Sequence, residues 1–113
     1  MIRNLEALLA RGGDAPPLRF ALASRHLAAG NHDAAIEHAR AAVAVDAGYS
    51  AAWKVLGKAL AAAGRDAEAA ESYRSGIAAA ESRGDMQAAK EMRVFLRRLE
   101  KAQGGSPSGS GDP

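Results

Sequence analysis

The residues of this chain that could do chemistry are three histidines, a close pair of lysines and a run of arginine and lysine near the C-terminus. His26, His32 and His38 are spaced six apart. A helical metal site sets two imidazoles at i and i+4 on one face, so a six-residue step does not fit that geometry. His26 reads as a substitute for a core residue, and His32 and His38 as surface residues. There is no cysteine, which removes thiol nucleophiles, thiolate ligands and disulfides together. The acidic residues are scattered over polar faces without a visible pair for general acid–base work. Glycines fall at the ends of apolar periodic runs, where a phosphate-cradling loop after a strand is not expected. No catalytic set, metal or cofactor is expected on these grounds, and binding is the chemistry left to seek.

Lys54 and Lys58 are four residues apart, which puts both ammonium groups on one helix face. Such a pair could receive an acidic segment or a C-terminal carboxylate. Its simpler reading is as solubilising lysines on a solvated face. Arg93, Arg97, Arg98 and Lys101 form a second basic set that could meet phosphates. Glu91 and Glu100 dilute it, no aromatics are interleaved for base stacking, and cations near a helix C-terminus also suit the helix dipole. The solvated-face reading is preferred there, and nucleic acid is not expected as a partner. The formal net charge of +2 agrees, since a small excess of Lys and Arg is enough to give the pI of about 9.3.

The elements that must position these groups are helices. Alanine is the commonest residue, β-branched residues are scarce, and aromatic content is only 4%, so the core must form by close helix–helix approach over small side chains. A length of 113 residues suits one small domain. The opening residues lack the apolar core of a secretory signal, and no run approaches a bilayer span, so a cytoplasmic location is expected.

The clearest unit is residues 50–77. Trp53, Leu56 and Leu60 share one helix face, Gly64 follows as a helix stop, and Ala69, Ala70, Tyr73 and Ile77 mark a second helix. Ser50 is expected as the N-cap of the first of these helices. A weaker copy precedes it. Gly30 and Gly64 stand 34 residues apart, and the same shift aligns Leu22 with Leu56, Ala23 with Gly57, Ala35 with Ala69, and Ala42 with Gly76. Small residues recur where two helices must touch. Around these units, residues 2–10 carry a leucine stripe (Ile2, Leu5, Leu8, Leu9), and residues 86–102 place Ala89, Met92, Phe95, Leu96 and Leu99 on one face. Gly84 should break the preceding helix, with Asp85 as the next N-cap. Residues 104–113 have no apolar anchor and are expected to be disordered.

The 34-residue period, with Trp53, Leu56-Gly57, Ala69 and Tyr73 at its key positions, resembles the tetratricopeptide repeat (TPR) family. Leu60 stands where the family usually has Tyr. The first unit is more degenerate, with Arg19 at the Trp position and His26 at the Tyr position, and Ala47 and Glu81 replace the family's unit-end proline. The resemblance implies an all-α, right-handed superhelical array of antiparallel hairpins. A single domain over residues 1–103 is expected, with repeats over 16–49 and 50–83 and capping helices over 2–10 and 86–102, six helices in all. Caps are needed because two hairpins alone leave apolar ends open.

The resemblance also implies a concave groove, lined by the first helix of each unit, that binds a peptide or a partner helix. The matching positions are Pro17, Phe20, Ser24, Leu27 and Ala28 in the first unit, and Ala51, Lys54, Lys58, Ala61 and Ala62 in the second. Ser24 and Lys58 occupy sites where the family's carboxylate clamp has asparagine. Phe20 either points bare into the groove or is covered by the N-terminal helix. The expected function is a protein–protein adaptor whose groove is read by Phe20, Ser24, Leu27, Lys54 and Lys58, with an acidic partner favoured by the lysines. The alternative is a self-associating structural module that dimerises through a terminal helix, using Leu96 or Phe95. The sequence leaves open whether the chain is a monomer or a homodimer.

Overall fold

Alanine-rich stretches punctuated by glycine fold into five helices in the computed structural model, which describes residues 15–102. They are α1 (Pro16–Ala28), α2 (His32–Val45), α3 (Ser50–Ala62), α4 (Asp66–Ser82) and α5 (Met86–Ala102). The helix expected over residues 2–10 and the tail 104–113 lie outside the described residues. There is no strand among the described residues.

Three of the four helix junctions are one device used repeatedly. Gly30, Gly64 and Gly84 take φ of 82°, 79° and 75°, a left-handed conformation that a Cβ would strain. In each case the next residue's N–H reaches back five residues at 2.8 Å: Asn31 to the His26 carbonyl, Arg65 to Leu60 and Asp85 to Ala80. That hydrogen bond satisfies a carbonyl the helix end would otherwise orphan. The fourth junction, between α2 and α3, is built differently. Asp46 accepts the Gly48 N–H through its carboxylate at 3.0 Å, and its carbonyl accepts the Tyr49 N–H at 3.1 Å. Helix starts are mixed. Asp85 caps α5 as expected, accepting the Ala88 N–H at 3.1 Å. Ser50 is already the first helical residue of α3, with Tyr49 in the capping position and no side-chain cap. α1 opens on Pro16-Pro17, where no intrahelical donor is needed.

Each helix packs antiparallel on its neighbour in sequence. Beyond neighbours, the backbones of α1 and α3 and of α3 and α5 come close, whereas those of α2 and α4 stay apart. An array closed along its odd-numbered helices and open along its even-numbered ones must bend, with α1, α3 and α5 on the inner side. The close approach rests on small residues. Ala23, Ala35, Ala39, Ala42, Ala52, Ala59 and Ala69 are completely buried, and among the described residues only Leu22, Leu60 and Met92 are large side chains buried to nearly the same degree. Gly57 faces the Tyr73 ring, and Gly76 faces Trp53 and Met92, with no room at either site for a methyl group. The α5 helix closes the end of the second hairpin. It buries Ala89 and Met92 and lays Phe95, Leu96 and Leu99 against Tyr73 and Ala80. Covering Met92 alone contributes about 1.5–3 kcal/mol.

Candidate functional site

The inner side of the array presents the residues that the sequence singles out. On α1, Phe20, Ser24 and Leu27 are half-buried. Phe20 is not a bare apolar group, because its ring packs on Tyr49 at the start of α3, centroids 5.3 Å apart and tilted by 38°. Phe20 and Leu27 both rest on the alanine core. The seam between α1 and α3 is thus closed by an aromatic pair. The Tyr49 hydroxyl is held above its ordinary pKa, first by burial and then by the Asp46 carboxylate, so it stays neutral.

On α3, Lys54 and Lys58 point across the next seam towards α5. The Lys54 ammonium donates to Glu91 Oε1 at 2.9 Å. One turn further along both helices, the Lys58 ammonium lies 5.4 Å from the centre of the Phe95 ring. Phe95 in turn stacks on Tyr73, centroids 5.6 Å apart, and the Arg98 guanidinium lies 5.9 Å from its ring centre. Two cations therefore share one aromatic ring on the inner side, each contact worth about 0.5–1 kcal/mol where exposed. Burial beneath this layer pushes the Tyr73 hydroxyl up to about 12. A cleft of about 260 Å³ opens beside Lys54, between the N-terminal ends of α3 and α5, lined by Ser50, Ala51, Gln87, Glu91 and Met92.

The structure thus brings Lys54 and Lys58 together with Glu91, Phe95 and Arg98, three α5 residues that sequence reasoning did not assign to the groove. α5 lies outside the 34-residue register, so no repeat position pointed to them. The i, i+4 spacing from Glu91 to Phe95, matching Lys54 to Lys58, was the signal available. Phe95 and Leu96, the residues considered for pairing with a second copy, pack inward onto the α4 side of the core.

A second cleft, of about 480 Å³, opens on the outer side where α2 and α4 stand apart. Trp53 and Leu56 form its floor, Val43 and Ala44 a wall, and the Arg40–Glu68 ion pair at 2.7 Å spans it. Hydrogen bonds from Arg65 and Arg40 hold the Glu68 carboxyl below its usual pKa range.

The histidines need one correction. His26 is buried as expected, but His38 is buried to the same degree, each 8% exposed, where a surface position was expected. The two imidazoles stack between α1 and α2, centroids 5.5 Å apart and planes within 9° of parallel. The Arg19 guanidinium is hydrogen-bonded to His38 Nδ1 at 2.9 Å. A metal ion sits in the plane of each ligating ring at about 2 Å, and two stacked planes cannot share such a point. His38 follows Ala35 by three residues and precedes Ala42 by four, so the helical period itself placed it on the buried stripe.

Three comparisons bear on this arrangement. The sequence model of the Tetratricopeptide repeat family matches residues 2–48 and 20–85. The TPR repeat-containing protein PA0015 of Pseudomonas aeruginosa is 48% identical over 103 residues, covering 91% of this chain and 98% of that protein. The solution structure of protein BPP2914 from Bordetella parapertussis superposes with a TM-score of 0.78 at 48% identity, covering 92% of each chain.

Proposed function

Since the chain belongs to the tetratricopeptide repeat family, whose members generally mediate protein–protein interactions, we propose that it is a non-enzymatic adaptor that binds a peptide or partner helix along its inner side. The bound segment would run across α1 and α3, over Phe20, Ser24 and Leu27, and meet Lys54 and Lys58. The observation that carries this reading is the one-sided closure of the array, which lines up α1, α3 and α5 on a single inner face while α2 and α4 stand apart.

The chemistry of that face supports an acidic segment. Lys58 is exposed and has no carboxylate partner among the described residues. Lys54 is held by Glu91, but both side chains are partly exposed, at 29% and 46%, and such a pair is worth no more than about 1 kcal/mol. An incoming carboxylate could therefore replace Glu91 at little cost. Few large side chains reach the face, so modest affinity is expected, with salt weakening it.

The test is affinity capture with the wild-type chain and with a Lys54→Glu/Lys58→Glu variant. Neither side chain is buried, so the variant should keep its helical circular dichroism, with a melting temperature lowered by the loss of the Glu91 pair and the Phe95 contact. Loss of captured partners in the variant supports the charged inner face. An identical partner set in both would refute it.

A further inference from the structure

The outer face of α5 is a ridge of cations. At about 100° per residue, Lys90, Arg93, Arg97 and Lys101 fall within an arc of about 80°, centred about 110° round the helix from the Ala89 and Met92 side, and climb about 16 Å along the helix axis. All four are exposed. The acids that dilute this run in the sequence are spent elsewhere: Glu91 bonds to Lys54 on α3 and Glu100 to Arg74 on α4. Arg93 pairs with Glu81 of α4. Among the described residues no carboxylate pairs with Lys90, Arg97 or Lys101.

Opposite charges at i and i+4 stabilise a solvated helix face. Here the i, i+4 neighbours are Arg93 with Arg97 and Arg97 with Lys101, like charges that repel. We infer that this ridge is a docking face for an acidic segment of a partner protein, with Asp or Glu recurring every fourth residue along one side of a helix. Carboxylates at that spacing rise about 6 Å per step, close to the rise between successive cations of the ridge. Two other polyanions fit less well. The ridge has no aromatic or amide side chain to read bases or stack on them. The apolar side of α5 is packed on the core, leaving only Met86 exposed to enter a bilayer.

The test uses the full chain and three labelled probes, followed by fluorescence anisotropy at about 20 mM and 150 mM salt. The first is an alanine-based helical peptide with glutamate at every fourth position, with a glutamine version as control. The second is single-stranded oligothymidine, and the third is vesicles of phosphatidylserine and phosphatidylcholine. The glutamate peptide should bind at low salt and the glutamine peptide should not. A Lys90→Glu/Arg97→Glu/Lys101→Glu variant, checked for an unchanged melting curve, should bind at least about tenfold more weakly. The Lys54→Glu/Lys58→Glu variant should keep binding to within about twofold, which separates this surface from the inner-face reading. The proposal is overturned by absence of peptide binding at low salt, by equal binding to the triple variant, or by tighter binding to oligothymidine or vesicles than to the peptide.

Discussion

Replacing Gly76 with alanine would add one methyl group where three helices meet. A Cβ built on Gly76 lies 2.7 Å from Trp53 Cβ on α3 and 2.5 Å from Met92 Sδ on α5. Carbon atoms in ordinary contact are about 3.5 Å apart or more, so roughly 0.8 Å must be found. Met92 is flexible, but it is fully buried, and Trp53 Cβ is bonded to backbone and moves only with its helix. Overpacking costs about 1–3 kcal/mol in general and about 2–3 kcal/mol where, as here, one obstacle is rigid, and alanine's helix propensity returns about 1 kcal/mol. The expected net loss is about 1–2 kcal/mol. In a domain of this size that lowers the melting temperature by about 5–15 °C, read by far-UV circular dichroism. Ser75→Ala is the control, since Ser75 is exposed on the same helix and should change stability by a few tenths of a kcal/mol at most, in the stabilising direction. A Gly76→Ala protein that melts at or above the wild-type temperature would show that the close approach of α3, α4 and α5 does not rest on this missing methyl group.

Other perturbations follow from the same packing. Gly48→Ala also crowds a neighbour, but that neighbour is the exposed guanidinium of Arg83, so a loss above about 0.5 kcal/mol in urea unfolding would contradict the distinction between rigid and flexible obstacles. Met92→Ala empties a fully buried site on the helix that closes the array and should lose about 2–5 kcal/mol; a smaller change would mean that α5 contributes little to the core. Alkaline pH should act through Tyr73, whose hydroxyl is pushed from the ordinary value of 10.0 up to about 12 by burial. The unfolded chain then releases this proton first, so the contribution is whole below pH 10 and is lost as pH rises from about 10 to 12, on the order of 3 kcal/mol in total. Subtracting the pH profile of Tyr73→Phe isolates that loss; parallel profiles in the two proteins would rule it out.

Much of the fold was legible in the chain because its signals are local. A glycine after an apolar run marks a left-handed helix stop whatever surrounds it, and Gly30, Gly64 and Gly84 all take that role. The 34-residue recurrence of small residues marked where helices touch, and Ala23, Gly57, Ala42 and Gly76 are all buried there. The 3.6-residue period correctly faced Met92, Phe95 and Leu96 inward on the last helix. The start of α3 was misjudged by one residue, since Tyr49 and not Ser50 holds the capping position; a serine beside a turn is a good cap in general, and the Asp46–Tyr49 turn already ties that entry.

The site was less legible, because its properties belong to pairs of residues far apart in the chain. Lys54 and Lys58 looked like two free cations; that Glu91 takes one and Phe95 the other depends on α5 lying beside α3, outside the repeat register. Phe20 was left open between exposure and cover by the N-terminal helix, and the ring that packs on it is that of Tyr49. His38 looked like a surface residue, since a polar side chain is normally solvated, yet stacking on His26 and a hydrogen bond with Arg19 accommodate it indoors. The sequence by itself determined where helices begin, turn and meet, because backbone propensity and periodicity act over a few residues. Only the tertiary structure decided which charges neutralise one another and which remain on the α5 ridge, because those are set by distances between helices and no local pattern encodes them.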